Sequence, residues 1–116
     1  MTIKVKLTGT TVSVHPMNYP VNNGNHTVQW GPHDNSDSFT FADTPITFDD
    51  PAAPIGDLSA SGDMASGSDD NTNNGGQDQD YGYHLHLIDA NGNPITWPPL
   101  ENKKMTGDPM ISNRPG

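Results

Sequence analysis

Apolar and polar residues alternate in short runs along this chain. Ile3, Val5 and Leu7 alternate with Lys4 and Lys6, the two-residue period of a half-buried strand. Val12 and Val14 alternate with Thr11, Ser13 and His15, and Gly9-Thr10 between the two runs predicts a hairpin. Pro16 ends it, and residues 16–25 read as a loop with an Asn23-Gly24 turn. Val28 and Trp30 mark a third strand, stopped by Gly31-Pro32, and Phe39 and Phe41 a fourth. Ile46 and Phe48 follow Pro45 as a fifth, placed at a sheet edge because proline donates no ladder hydrogen bond.

Residues 81–89 carry the strongest strand pattern. Tyr81, Tyr83, Leu85 and Leu87 share one face, and Gly82, His84, His86 and Ile88 the other. Ala90-Asn91-Gly92-Asn93 supplies a turn, and Ile95 and Trp97 a seventh strand before Pro98-Pro99. Met110 and Ile111 add a last short strand. Short strands with turns every 8–12 residues or so predict an all-β single-domain β-sandwich of about 7–8 strands over residues 1–116.

One stretch departs from that pattern. Residues 56–80 are built from Gly, Ser, Asp and Asn, with Leu58, Ala60, Met64 and Ala65 as their apolar members. So little apolar surface does not offset the entropy of ordering the backbone, which predicts a flexible acidic loop inserted in the sandwich. With 30% apolar residues in 116, the core is expected to be thin. Twelve glycines and eleven prolines argue against long helices.

Charge narrows the partners. The net charge is −9, and from Gly31 to Asp89 the chain holds twelve Asp and no Lys or Arg. Nucleic acid and anionic membrane surfaces are therefore not expected, since both need a positive footprint. The absence of cysteine excludes disulfides, zinc-thiolate sites and a cysteine nucleophile. The chain opens directly on an alternating strand, without a leader pattern, and no apolar run approaches the length of a membrane helix, so a cytoplasmic location is expected.

Three constellations invite chemistry. His84 and His86, at i and i+2, project from one strand face, a geometry that binds a transition metal if His15, His26 or His33 supplies a third ligand. Spacing alone favours a hydrogen-bonded pair, so no metal and no cofactor are assigned. Asp70–Gly75 begins like a calcium loop, but Tyr81 occupies the twelfth position where a bidentate Glu belongs. No Gly-x-Ser-x-Gly elbow, phosphate-binding loop or dinucleotide fingerprint is present.

The third is Asp-Pro. Thirteen aspartates and eleven prolines in 116 positions give about one Asp-Pro pair by chance, and two occur, Asp50-Pro51 and Asp108-Pro109. The second lies within the last fourteen residues, which hold Lys103, Lys104 and Arg114, three of the five basic residues. An Asp carboxylate reaches its own main-chain carbonyl carbon and closes a five-membered ring. Because proline nitrogen carries no hydrogen, imide formation through the following N–H is blocked. Two routes remain: attack by the carboxylate oxygen, giving a cyclic anhydride, or activation of a water that attacks the same carbonyl. Either needs a proton for the leaving proline nitrogen; Lys103, Lys104, His84 and His86 are the candidate donors, and a lysine amine capturing the anhydride would leave an Asp–Lys cross-link.

The run Thr106-Gly107-Asp108-Pro109-Met110-Ile111-Ser112-Asn113 near the C-terminus of a small acidic β protein resembles the DP-EP family of bacterial self-cleaving endopeptidases. The resemblance covers roughly the last ten residues, with a less specific agreement in the β pattern of residues 2–97. It implies a β-sandwich that cuts itself between Asp108 and Pro109, with residues 109–116 staying docked. Asp108 and Pro109 carry over; the family's lysine has no fixed counterpart in Lys103 or Lys104.

The expected function is thus a single-turnover self-cleaving endopeptidase acting on its own Asp108-Pro109 bond, with Lys104 and His86 as assisting residues and Asp50-Pro51 left intact. The expected partner is the chain itself, with a homo-oligomer open. The competing reading is a non-catalytic β-sandwich binding or assembly module using the acidic insertion or an exposed strand edge; a His-based metal protein ranks third.

Overall fold

A computed structural model describes residues 2–99 and 108–116. Ten strands are present and no helix among the described residues: β1 (Ile3–Thr8), β2 (Thr11–His15), β3 (Asn18–Val21), β4 (Gly24–Pro32), β5 (Phe39–Phe48), β6 (Ile55–Ser61), β7 (Met64–Asn71), β8 (Gln79–Asp89), β9 (Pro94–Trp97) and β10 (Met110–Asn113). They form two sheets, consistent with the expected β-sandwich. One runs β2-β1-β4-β7-β6; the other runs β3-β10-β8-β5, with β9 also pairing β8.

The alternation read from the sequence sets the core. Ile3, Val5, Leu7, Val12 and Val14 point inward from the β1–β2 hairpin, and Tyr83, Leu85 and Leu87 from β8. Trp30 and Tyr83 meet across the sandwich edge to face, ring centroids 5.6 Å apart. Gly9 sits at φ +64° in the β1–β2 turn, where a side chain would be strained.

Four expectations change. First, residues 56–71 are not a flexible loop. β6 and β7 form a hairpin, and β7 pairs β4 over seven residues. Its inward positions are Ala65, Gly67, Asp69 and Asn71, so the buried face carries almost no apolar signal. A Cβ at Gly67 would lie 2.7 Å from a Leu58 methyl and 3.3 Å from the Gly56 carbonyl, so any larger residue here displaces Leu58. The cost of ordering the segment is met by ladder hydrogen bonds to β4 rather than by its own apolar burial.

Second, residues 18–21 are a strand, not loop. β3 pairs in parallel with β10, a partner almost a hundred residues away in the chain. Third, the fourth and fifth expected strands are one strand, β5, whose pairing with β8 shifts register between Phe41 and Ile46; Pro45 lies in that irregularity, on an edge strand as expected. Fourth, the strands among the described residues number ten rather than about 7–8; the expected last strand is present as β10, between β3 and β8.

Because β5 and β9 both pair with Leu85 and Leu87, they flank β8 on opposite sides. β9 and β10 therefore lie end to end along one side of β8, and the chain between them returns at Asp108-Pro109.

Candidate active site

β8 pairs Tyr83 with Phe48 and His84 with Thr47 of β5. Tyr83 faces the core, so Gly82, His84 and His86 lie on the outer face, in line with Thr47 and Asp49. The ladder continues one step past β5, where the Asp49 amide donates to the Gly82 carbonyl at 3.0 Å. A Cβ at residue 82 would sit 2.8 Å from Asp49 Oδ2, so glycine there leaves room for the carboxylate. Pro109, entering β10, accepts a 3.1 Å hydrogen bond at its carbonyl from the Tyr83 amide, and the Met110 amide donates to the Met17 carbonyl at 2.8 Å. The backbone on the C-terminal side of the Asp108-Pro109 bond is thus clamped from both neighbouring strands.

Three side chains converge here. Asp49, His84 and Asp108 each offer a ligating atom within 4.8 Å of the others. His84, 2% exposed, contacts the Pro98 carbonyl through Nδ1 and Asp49 Oδ1 through Nε2, both at 2.6 Å. A carbonyl and an ionised carboxylate only accept hydrogen bonds. Both contacts are satisfied when the ring carries a hydrogen on each nitrogen, which pairs a buried imidazolium with the exposed Asp49 carboxylate. Asp108 is 7% exposed, and its Oδ2 is buried without a hydrogen-bond partner. A buried carboxylate oxygen left unpaired is costly and calls for a cause, a catalytic role or a bound ion among them. The cluster opens onto a cleft of about 610 Å³ that Asp50, Asp80 and Tyr81 also line.

The predicted residues fall out unevenly. Asp108 and Pro109 are brought into the cluster. His86 is not: its Nε2 pairs with Thr47 Oγ1 at 2.9 Å and its Nδ1 with Thr96 Oγ1 at 3.3 Å. Burial pushes the His86 imidazole below its ordinary value, and the neighbouring His84 pushes it the same way. Its partner in the i, i+2 pair, His84, takes the place beside Asp108. Lys103 and Lys104 lie outside the described residues. His15, His26 and His33 join no metal-ligating group of three among the described residues. Asp49 escaped sequence reading; its signal is the pairing of Phe48 with Tyr83, a register that the sequence does not carry.

The second Asp-Pro bond borders the same cleft, yet its carboxylate is occupied. Asp50 and Pro51 are exposed, and Asp50 Oδ1 accepts from the Ala52 amide at 2.8 Å in a local turn.

Beyond Asp108, the C-terminal segment is tied to β7 by a buried amide network. Asn71 Nδ2 donates to the carbonyls of Val21 and Arg114, at 3.0 and 2.9 Å. Asn73 Nδ2 donates to the carbonyls of Gln77 and Asn113, both at 2.9 Å, and Asn113 Nδ2 to Asp69 Oδ1 at 3.0 Å. Burial raises the Asp69 carboxyl above its ordinary value, against the lowering effect of that Asn113 hydrogen bond and of His26, with Asp70 adding to the rise. Ile111 is fully buried, and Ser112 lies between the side chains of Asn18 and Asp80.

Comparison with known protein families and with curated proteins found no match. The chain is therefore placed by its all-β two-sheet fold and by the Asp49–His84–Asp108 cluster alone.

Proposed function

We propose that this protein is a self-cleaving endopeptidase that hydrolyses its own Asp108-Pro109 bond once. The observation that carries the reading is the buried Asp108 carboxylate, grouped with His84 and Asp49 and with its Oδ2 left unpartnered. An unpaired carboxylate oxygen is a free nucleophile held close to its own carbonyl carbon. Such intramolecular placement is equivalent to an effective concentration of about 10⁵–10⁸ M when the geometry is aligned.

The step balances without outside reagents other than water. Asp108 Oδ2 adds to the Asp108 main-chain carbonyl carbon and closes a five-membered ring. The His84 imidazolium turns its Nε2 proton from Asp49 to the proline nitrogen as the C–N bond breaks, while the Nδ1–H bond to the Pro98 carbonyl holds the ring in place throughout. The products are a cyclic anhydride at residue 108 and a free secondary amine at Pro109. Water then opens the anhydride to two carboxylates. In this reading His84 replaces His86 as the proton donor, with a contribution on the order of 10²–10⁴ in rate.

The clamp on Pro109 and Met110 keeps the amine product beside the anhydride, so the amine and water compete for it. Cutting is complete only when water wins. The network on Asn71, Asn73 and Asn113 holds residues 109–116 in the sheet after the cut, and the retained segment blocks the site against further substrate.

Intact mass of freshly purified protein, followed under denaturing conditions, tests the proposal. The expected result is a time-dependent split into residues 1–108 and 109–116 that Asp108→Ala abolishes. A mass unchanged between pH 4 and 8 would overturn it.

A further inference from the structure

The Asp49–His84–Asp108 cluster has the properties of a cation site as well as of a proton relay. We propose that it binds one divalent transition cation of the zinc class, and that the bound ion keeps the Asp108-Pro109 bond intact. The second half rests on the self-cleavage reading; the first does not.

The donor set is one imidazole and two carboxylates, which suits zinc and its neighbours and requires no thiolate. The ligating atoms lie within 4.8 Å of one another. Tetrahedral bonds of roughly 2.0–2.2 Å set ligand atoms roughly 3.3–3.6 Å apart, so an ion needs the widest separation to close by up to roughly 1.5 Å and Asp49 to draw back from His84, now 2.6 Å away. Asp49, the exposed member of the three, supplies that freedom.

Two further observations point to a ligand. The Nδ1–H of His84 donates to the Pro98 carbonyl, which aims Nε2 at the cluster; metal-bound histidines are oriented in this way. Asp108, buried to better than nine-tenths, offers a carboxylate oxygen to the same group and keeps its Oδ2 without a partner. Asp50 and Asp80 on the cleft wall add negative charge, and no described Lys or Arg lines the cleft.

An ion here excludes cleavage by simple competition. It replaces the hydrogen on His84 Nε2, which removes the proton donor. It also coordinates the Asp108 carboxylate and draws electron density from the delocalised group, which weakens the nucleophile. The cut then waits until the ion is lost.

Binding and cutting are read separately. Cobalt(II) titrated into freshly purified full-length protein reports the ligand set through its visible absorption, and zinc affinity follows by competition. One ion per chain is expected, with affinity reduced at least tenfold in Asp49→Asn, His84→Gln and Asp108→Asn and unchanged in His33→Ala. Asp49→Asn replaces an exposed side chain with a near-isostere, and circular dichroism confirms that it folds. Unchanged affinity in Asp49→Asn and Asp108→Asn overturns the site. In parallel, one equivalent of zinc is expected to slow the mass split at least tenfold and excess chelator to restore it. A zinc-bound protein that cuts as fast as, or faster than, the chelated one overturns the protective role. A chain that never cuts, with zinc or with chelator, overturns the self-cleavage reading and the protective role built on it, while the cobalt spectra still decide the site.

Discussion

Two Asp-Pro bonds border one cleft, and they differ in what surrounds the carboxylate. Asp50 sits in an exposed turn, its side chain held by the Ala52 amide two residues on. Asp108 is buried, with one oxygen left without a partner and a histidine–carboxylate pair beside it. The dipeptide is the same in both. What separates them is that a local hydrogen bond satisfies one carboxylate, whereas the tertiary structure desolvates the other and leaves it free. On the proposed self-cleavage, reactivity at Asp-Pro is a property of the fold around the bond.

The comparison breaks most directly at the carboxylates themselves. Asp108→Ala is expected to stop cleavage completely and Asp50→Ala to leave its rate unchanged, both by intact mass. Cutting at Asp50-Pro51 in either protein would show that the environment does not discriminate. Next in size is the proton donor. His84→Gln is expected to slow cleavage by about 10²–10⁴ while His86→Gln changes it little. An equal effect of the two would return the role to the pair as a whole.

A subtler change acts through geometry. Gly82→Ala places a methyl group 2.8 Å from Asp49 Oδ2 and pushes that carboxylate away from His84. A loss on the order of 10² in rate is expected for a displacement of about an ångström at a reacting cluster, with thermal stability little changed. A rate equal to wild type would remove Asp49 from the mechanism. Retention of the cut piece is tested by Asn71→Ala, which removes the side-chain hydrogen bond to the Arg114 carbonyl, takes one of two donors from the Val21 carbonyl and leaves the Asn73 amide without its acceptor. A cost of about 1–3 kcal/mol is expected, with faster loss of residues 109–116 in native size-exclusion chromatography after cutting.

The smallest effect concerns Asp69 beneath Asn113. Burial raises its carboxyl in the folded protein. Below the ordinary aspartate value, folded and unfolded chains both hold the proton and stability is unaffected. Above it the unfolded chain releases the proton first, so stability falls as pH rises toward the raised folded value, where the loss is complete. Asp69→Asn keeps an acceptor for Asn113 and removes the titration. The Tm difference between variant and wild type should grow in favour of the variant across that window, and a constant difference would show that Asp69 is ionised throughout.

How far these features are legible in the sequence follows from where each residue's partners lie. Ile3 to Val14 announce a hairpin because two-residue alternation and a glycine turn are both local, and Tyr83, Leu85 and Leu87 announce β8 for the same reason. β7 is silent because its buried face is Ala65, Gly67, Asp69 and Asn71, which look like linker when burial is judged by hydrophobicity. β3 is silent because Asn18 and Pro20 favour loops and its parallel partner lies at the far end of the chain. The candidate site divides likewise. Asp108-Pro109 is visible as a dipeptide in context, and the choice between His84 and His86 is not, because both lie on one face and only the β5 register sets Asp49 beside one of them.

The interior position of β10 carries a last consequence. A strand bonded on both sides, once severed from its chain, behaves as a separate small subunit. Folding that was unimolecular becomes an association, and the stability of the two-piece protein depends on concentration. Cutting at Asp108-Pro109 would leave every hydrogen bond of β10 in place and still change the law the molecule obeys: dilution, which means nothing to the intact chain, becomes a denaturant for the cut one.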